Sequence, residues 1–260
     1  MTRVERLLGV VVVTFATFIA LQATQSYRQR NAAPAVTADT GAAEFTTEEG
    51  DLVRVRRSTL APPPPRDYAA ITQLLSEGRT LTYMDEILSS RGGHVARWVD
   101  RRDDPIRVWV QTAPGVKDFW ADYPALARDA FYTWSNAGIP VKFLFIDDSA
   151  GAEVRLRWVD RFPDTAAGKT YWARDTNWWI LGADIEVALH SATGVAYERD
   201  AVHAIALHEV GHLIGLDHSS DQENIMAARV YTKRLSSTDL RTAHLVYKLP
   251  PGSVRDSVKP

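Results

Sequence analysis

Residues 208–218, His-Glu-Val-Gly-His-Leu-Ile-Gly-Leu-Asp-His, constrain this chain more than any other stretch. They hold three of its seven histidines. Positions i and i+4 of an α-helix lie one turn apart on the same face, so His208 and His212 project side by side. Two imidazole nitrogens so placed can bind one zinc ion at about 2.0–2.1 Å each. Glu209 follows the first of them and can approach a water on the metal rather than the metal itself, which suits a general base. Gly215 can adopt the left-handed backbone that ends a helix. The chain can then turn back and bring in His218 as a third ligand. Three protein ligands leave one zinc position for water, whose pKa the metal lowers toward about 7. Unrelated histidines on an amphipathic helix would show this pattern by chance on the order of once in 10⁵ such chains.

Composition narrows the remaining choices. Cysteine is absent, which excludes disulfides, thiolate nucleophiles and sulfur-ligated metals. A formal net charge of −2 offers no basic field for nucleic acid. With 45% hydrophobic residues in 260, the chain can bury the core of one ordinary domain.

Residues 1–25 read as a signal sequence or an N-terminal membrane anchor. Arg3 and Arg6 precede Leu7–Ala23, which has no charged residue. Residues 26–67 read as a linker ending in the stiff run Pro62–Pro65. Residues 68–94 form a short helical pre-segment, with apolar spacing at Ile71, Leu74 and Leu75 and again at Met84, Ile87 and Leu88, expected to pack outside the main domain. The main folded region runs over 95–250, with a tail at 251–260. Within it, alternation predicts strands at 105–112, 141–147 and 152–160, and two more between Gly168 and Leu189. Helical spacing predicts helices over 123–138, from an Asp200 N-cap to Gly215, and after Ser236, where Ser236 and Asp239 have capping-box spacing. The expected class is α+β, with five strands, a histidine-bearing helix and a C-terminal helix. Resemblance to the zincin-like metallopeptidases, carried by the motif at 208–218 and by Met226, implies that the five strands form one twisted mixed sheet.

These residues resemble the metzincin (zincin-like) metallopeptidases, and the matrixin branch (peptidase M10 type) in particular. Ser219 follows the motif as in matrixins, and Met226, in Asn-Ile-Met-Ala-Ala, resembles the methionine of the Met-turn beneath the metal. Leu235–Tyr247 is similar to the final matrixin helix, and Ala130–Phe143 to the first helix and second strand. Astacins and serralysins fit less well, since Ala228 stands where they place a tyrosine. The resemblance covers roughly residues 95–250. It implies one catalytic Zn2+ on His208, His212 and His218, and an exported zinc endopeptidase that hydrolyses peptide bonds through a zinc-bound water activated by Glu209. It also implies a peptide or protein substrate extended beside a strand containing Gly168, Lys169, Thr170, Tyr171 and Trp172. The domain is expected to be monomeric, with contact to membrane only through the N-terminal segment. It would be either anchored with the catalytic domain outside the cytoplasm, or secreted or periplasmic. The alternative is a membrane-tethered binding module that has lost catalysis, against which the intact Glu209 argues.

Two features depart from matrixins. Without cysteine there can be no cysteine-switch propeptide, and the proline usual after the turn methionine is missing ahead of the specificity loop Ala227–Leu235. His94, His190, His203 and His244 do not match the spacing of the family's second, structural zinc, and His203 is expected to serve packing. Ca2+ at Asp147, Asp148, Asp164 or Asp175 is one reading and turn formation the other. Trp172, Trp178 and Trp179 either line a cleft or pack across strands.

Overall fold

The computed structural model describes residues 45–48 and 51–255. The apolar run Leu7–Ala23 lies outside them. Among the described residues, no helix is long and apolar enough to cross a membrane. In chain order the elements are strands β1 (Phe45–Glu48) and β2 (Asp51–Arg56), helices α1 (Tyr68–Gly78) and α2 (Met84–Ser90), and strands β3 (His94–Val95) and β4 (Arg101–Val110). Helix α3 (Tyr123–Ser135) follows, then strands β5 (Val141–Phe145), β6 (Val154–Val159), β7 (Gly168–Asp175) and β8 (Ile180–Ala188). Helices α4 (Arg199–Leu213) and α5 (Ser237–Lys248) and strand β9 (Gly252–Ser253) complete the chain.

The five expected strands form one mixed sheet in the order β7-β8-β6-β4-β5, with β7 antiparallel to β8 and the others parallel. Alternation explains why. In β6, Val154, Leu156 and Trp158 are buried while Arg155 and Arg157 face outward. The apolar face is covered by α3 and α4, which bury Phe131, Trp134, Val202, Leu207 and Val210. The indole of Trp134 donates to the Leu207 carbonyl at 2.9 Å and fixes α3 against the histidine-bearing helix. Ser236 and Asp239 close a capping box at the start of α5, as their spacing predicts.

Four expectations need correction. First, part of the stretch read as a linker is a strand: β2 pairs in parallel with β7, Arg54 opposite Ala173 and Arg56 opposite Asp175. With β1 it extends the sheet to seven strands. An open edge presents unpaired N–H and C=O groups, and β2 covers that edge over Ala173–Asp175, with Val53 turned into the core. Second, the pre-segment helices exist but do not lie outside the domain. Ile71, Met84, Ile87 and Leu88 belong to the same buried cluster as Leu245 and Val246 of α5. The approach is close, since a Cβ on Gly78 would stand 2.5 Å from Leu245 Cδ2. Third, α4 begins at Arg199 with Glu198 at its N-cap, so Asp200 lies in the first turn. Fourth, the segment read as a tail contributes β9, which pairs with β3 and so joins the folded region.

Candidate metal centre

Helix α4 carries His208 and His212 and ends where Gly215 turns left-handed at φ +102°. A Cβ there would fall 2.2 Å from the Ala96 carbonyl oxygen, so both conformation and space call for glycine. The reversed chain returns His218 to the same point. The ligand-capable atoms of His208, His212 and His218 lie within 4.8 Å of one another, the one such group of three found among the described residues.

Ring orientation decides what this group can hold. His208 Nδ1 lies 2.8 Å from the Ile225 carbonyl and His212 Nδ1 lies 3.2 Å from that of Leu216. A carbonyl can only accept, so both Nδ1 atoms carry the proton and both Nε2 atoms carry a lone pair. Those Nε2 atoms face each other at 3.0 Å, and His218 Nε2 lies 3.3 Å from that of His212. Two lone pairs cannot hydrogen-bond to each other, but they can share a cation. Tetrahedral zinc with bonds of about 2.0–2.1 Å would hold its ligand nitrogens about 3.3 Å apart, so the residues present fit zinc. Burial, with His218 beside it, lowers the pKa of His212 to about 3. Burial and the neighbouring His212 ring push His208 well below its usual value. Both rings are therefore neutral, as metal ligation requires.

Below the histidines, Met226 is fully buried and its sulfur lies against Gly211. A Cβ on Gly211 would stand 2.2 Å from that sulfur, which explains the glycine between the two helical histidines. The turn bearing Met226 is pinned from α5, where buried Asp239 accepts from the Ile225 N–H at 2.9 Å, the Ser236 N–H at 2.8 Å and the Tyr83 hydroxyl at 3.2 Å.

Glu209 is buried against β7. Thr170 Oγ1 lies 2.7 Å from Glu209 Oε2 and 3.1 Å from its carbonyl oxygen, and the single hydroxyl proton goes to the nearer, charged acceptor. Two residues earlier on the same strand face, Gly168 makes room: a Cβ there would stand 2.3 Å from Glu209 Oε1. Gly168 and Thr170 therefore build a seat for the carboxylate, one by absence of a side chain and one by donation. The sequence pointed to both only as members of a strand.

The rest of that strand divides by face. Lys169 points away from the helices and pairs with Asp164 at 2.6 Å, and Tyr171 is half-buried on the same side. Trp172 is buried beneath the Arg91 guanidinium, 4.5 Å from its ring centroid, and Trp179 is buried too. Trp178 stacks on His94 at 4.4 Å. All three tryptophans pack structurally. Of the aspartates considered for calcium, three accept turn hydrogen bonds: Asp148 from the Ala150 N–H, Asp164 from that of Ala166, and Asp175 from those of Asn177 and Trp179. The other histidines lie apart from the triad. His203 pairs with Asp129 at 3.0 Å, and His190 sits between Asp118 and Asp160 at 2.9 Å from each.

The family described as matrixin, of the M10 peptidases, matches residues 119–248, half of the chain. The chain belongs to this family. It is also similar to Metalloendoproteinase 2-MMP of Arabidopsis thaliana, at 28% identity over 138 residues, which cover 51% of this chain and 35% of that protein. With Metalloendoproteinase 1-MMP of the same plant the identity is 30% over 135 residues, 45% of this chain and 35% of the relative. The chain thus matches about a third of the length of these curated relatives.

Proposed function

We propose that this chain is an exported zinc-dependent endopeptidase. The observation that carries the reading is the convergence of three imidazole Nε2 atoms, two with tautomers set by backbone carbonyls, beside the buried carboxylate of Glu209. His208, His212 and His218 would hold the metal. Zinc bound there supplies Lewis acidity, acidifying the attacking water and polarising the scissile carbonyl. Glu209 takes the proton from that water as the carbon–oxygen bond forms, then delivers it to the amine nitrogen as the carbon–nitrogen bond breaks. Thr170 holds Oε2, so the carboxylate is oriented before substrate arrives.

The substrate would lie extended along the edge of β7 over Gly168–Trp172, adding a strand through main-chain hydrogen bonds. The registered pairing of β7 with β2 starts only at Ala173. Export rests on the uncharged run Leu7–Ala23 behind Arg3 and Arg6. The test is turnover of a mixed peptide library by the purified chain. Cleavage that a chelator abolishes, added zinc restores and Glu209→Gln removes supports the proposal. A zinc-loaded chain that binds peptides and cleaves none would be a binding module instead.

A further inference from the structure

The residue that shapes the third ligand's loop lies outside the matched family region, in the pre-segment. Arg91, at the C-terminal end of α2, has a side chain only 2% exposed. Its Nη1 donates to the Gly215 carbonyl at 2.7 Å and its Nη2 to the Leu216 carbonyl at 2.9 Å, while Nε lies 3.5 Å from Asp217 Oδ2. Its planar face rests on Trp172. Those three successive residues, 215 to 217, carry the chain from the end of α4 to His218.

Neighbours on α2 extend the grip. Ser90 Oγ donates to Asp217 Oδ2 at 2.6 Å, and Asp217 Oδ1 in turn accepts the His218 N–H at 2.7 Å. Glu86 accepts from the Ser220 N–H at 2.7 Å and from its hydroxyl at 3.0 Å. Moreover, the Leu216 carbonyl bound by Arg91 is the one that accepts from His212 Nδ1. One guanidinium therefore touches both the turn that delivers His218 and the group that orients His212.

We propose that Arg91 is a positioning residue of the metal centre, holding residues 215–217 so that His218 and His212 present their Nε2 atoms to one ion. The physical reason is the difference between helix and loop. His218 is exposed and lies on a turn, so without a clamp its ordering would have to be met by the metal itself. A buried arginine has five donors in a rigid fork and must find acceptors for them; the carbonyls left over at a helix C-terminus are suitable acceptors, and the helix dipole favours a cation there. The pre-segment is on this account part of the site.

The inference rests on the zinc reading above, and its test keeps the two apart. Zinc affinity of the full chain is measured by competition with a fluorescent chelator, alongside the thermal midpoint of each metal-free variant. Wild type must bind one zinc and His212→Ala must lose it; if not, the zinc reading itself fails. Given that, Arg91→Met should weaken zinc binding by about 10–100-fold, the range for removing outer partners of metal ligands. Ile71→Ala opens a cavity in α1 without touching 215–220 and controls for simple destabilisation; its affinity should stay within about twofold of wild type. Arg91→Lys, which keeps the charge but not the fork, should recover only part of the loss. If Arg91→Met does not fold, Ser90→Ala combined with Glu86→Gln loosens the same loop from the surface and should still weaken zinc binding at least threefold. Wild-type affinity in Arg91→Met, or in the double variant where that one is unfolded, overturns the proposal. So does a loss in Ile71→Ala as large as that in Arg91→Met.

Discussion

The metal cradle has two halves built in different ways. The helical half, His208 and His212, is buried, and its geometry follows from four-residue spacing on α4, with each ring turned by a nearby carbonyl. The loop half, His218, is exposed and is delivered by a turn whose backbone is gripped from α2. Both halves converge on one point, but only the first takes its backbone shape from local sequence. A helix prepares its ligands in advance because its own hydrogen bonds fix the backbone; a loop needs partners brought from elsewhere in the chain.

The strongest way to break this comparison is to remove one ligand from each half. His212 lies between the other two, so His212→Ala should lose stoichiometric zinc and with it all peptide cleavage. His218→Ala leaves the prepared helical pair in place and should retain weak zinc binding. Metal analysis after gel filtration, followed by titration, checks both. Equal losses in the two variants would mean that the halves are not energetically distinct.

The next largest effect separates ligand from base. Glu209→Gln keeps size and burial, so zinc and thermal stability should stay close to wild type. The rate should fall by about 10²–10⁴, the usual contribution of a general base. Steady-state kinetics on a cleaved library peptide, with zinc content measured on the same sample, decides this.

What was legible in the sequence follows the same divide. The four-residue step from His208 to His212, the helix stop at Gly215 and the capping box of Ser236 and Asp239 are each set within a few residues, so spacing alone located them. The strands β4, β5, β6 and β8 were legible because one face of each is apolar. Residues 51–56 were not, because pairing with β7 depends on an edge more than a hundred residues later in the chain. Nor was the packing of α1 and α2: the spacing of Ile71, Met84 and Ile87 predicts a helix face, but nothing local says that α5 is what it covers. Arg91 failed to stand out for the same reason, and Trp172 stood out only as a strand or cleft aromatic, not as the platform for a guanidinium. A buried arginine over a tryptophan looks in sequence like any surface cation and any strand aromatic.

Thr170 tests how well the helical half is supported from the sheet. Thr170→Val keeps the β-branched shape and removes the hydroxyl that meets Glu209 Oε2. A hydrogen bond to a charged group is worth about 1.5–3 kcal/mol, so kcat should fall roughly tenfold or more while KM and zinc content hold. Thr170→Ser should restore most of the rate. A fall in Thr170→Ser equal to that in Thr170→Val would show that packing, not the hydroxyl, is what Glu209 needs.

The smallest effect is expected on the opposite side of the same helix. His203 is five residues before His208, which places it about 140° away around α4. Its ring is 20% exposed and meets Asp129, itself 66% exposed, at 3.0 Å. A pair so open to water contributes at most about 1 kcal/mol. His203→Gln can still hydrogen-bond to Asp129 and should leave zinc stoichiometry, affinity and kcat unchanged, with a shift of the thermal midpoint within a few degrees. The reason is directional: the cradle is made by one face of α4, where burial strips water from the rings and carbonyls set their tautomers. A histidine on the other face has neither condition. Loss of zinc in His203→Gln, measured as for the ligand variants, would mean that the helix acts as a whole and that the contrast between its faces is not what prepares the site.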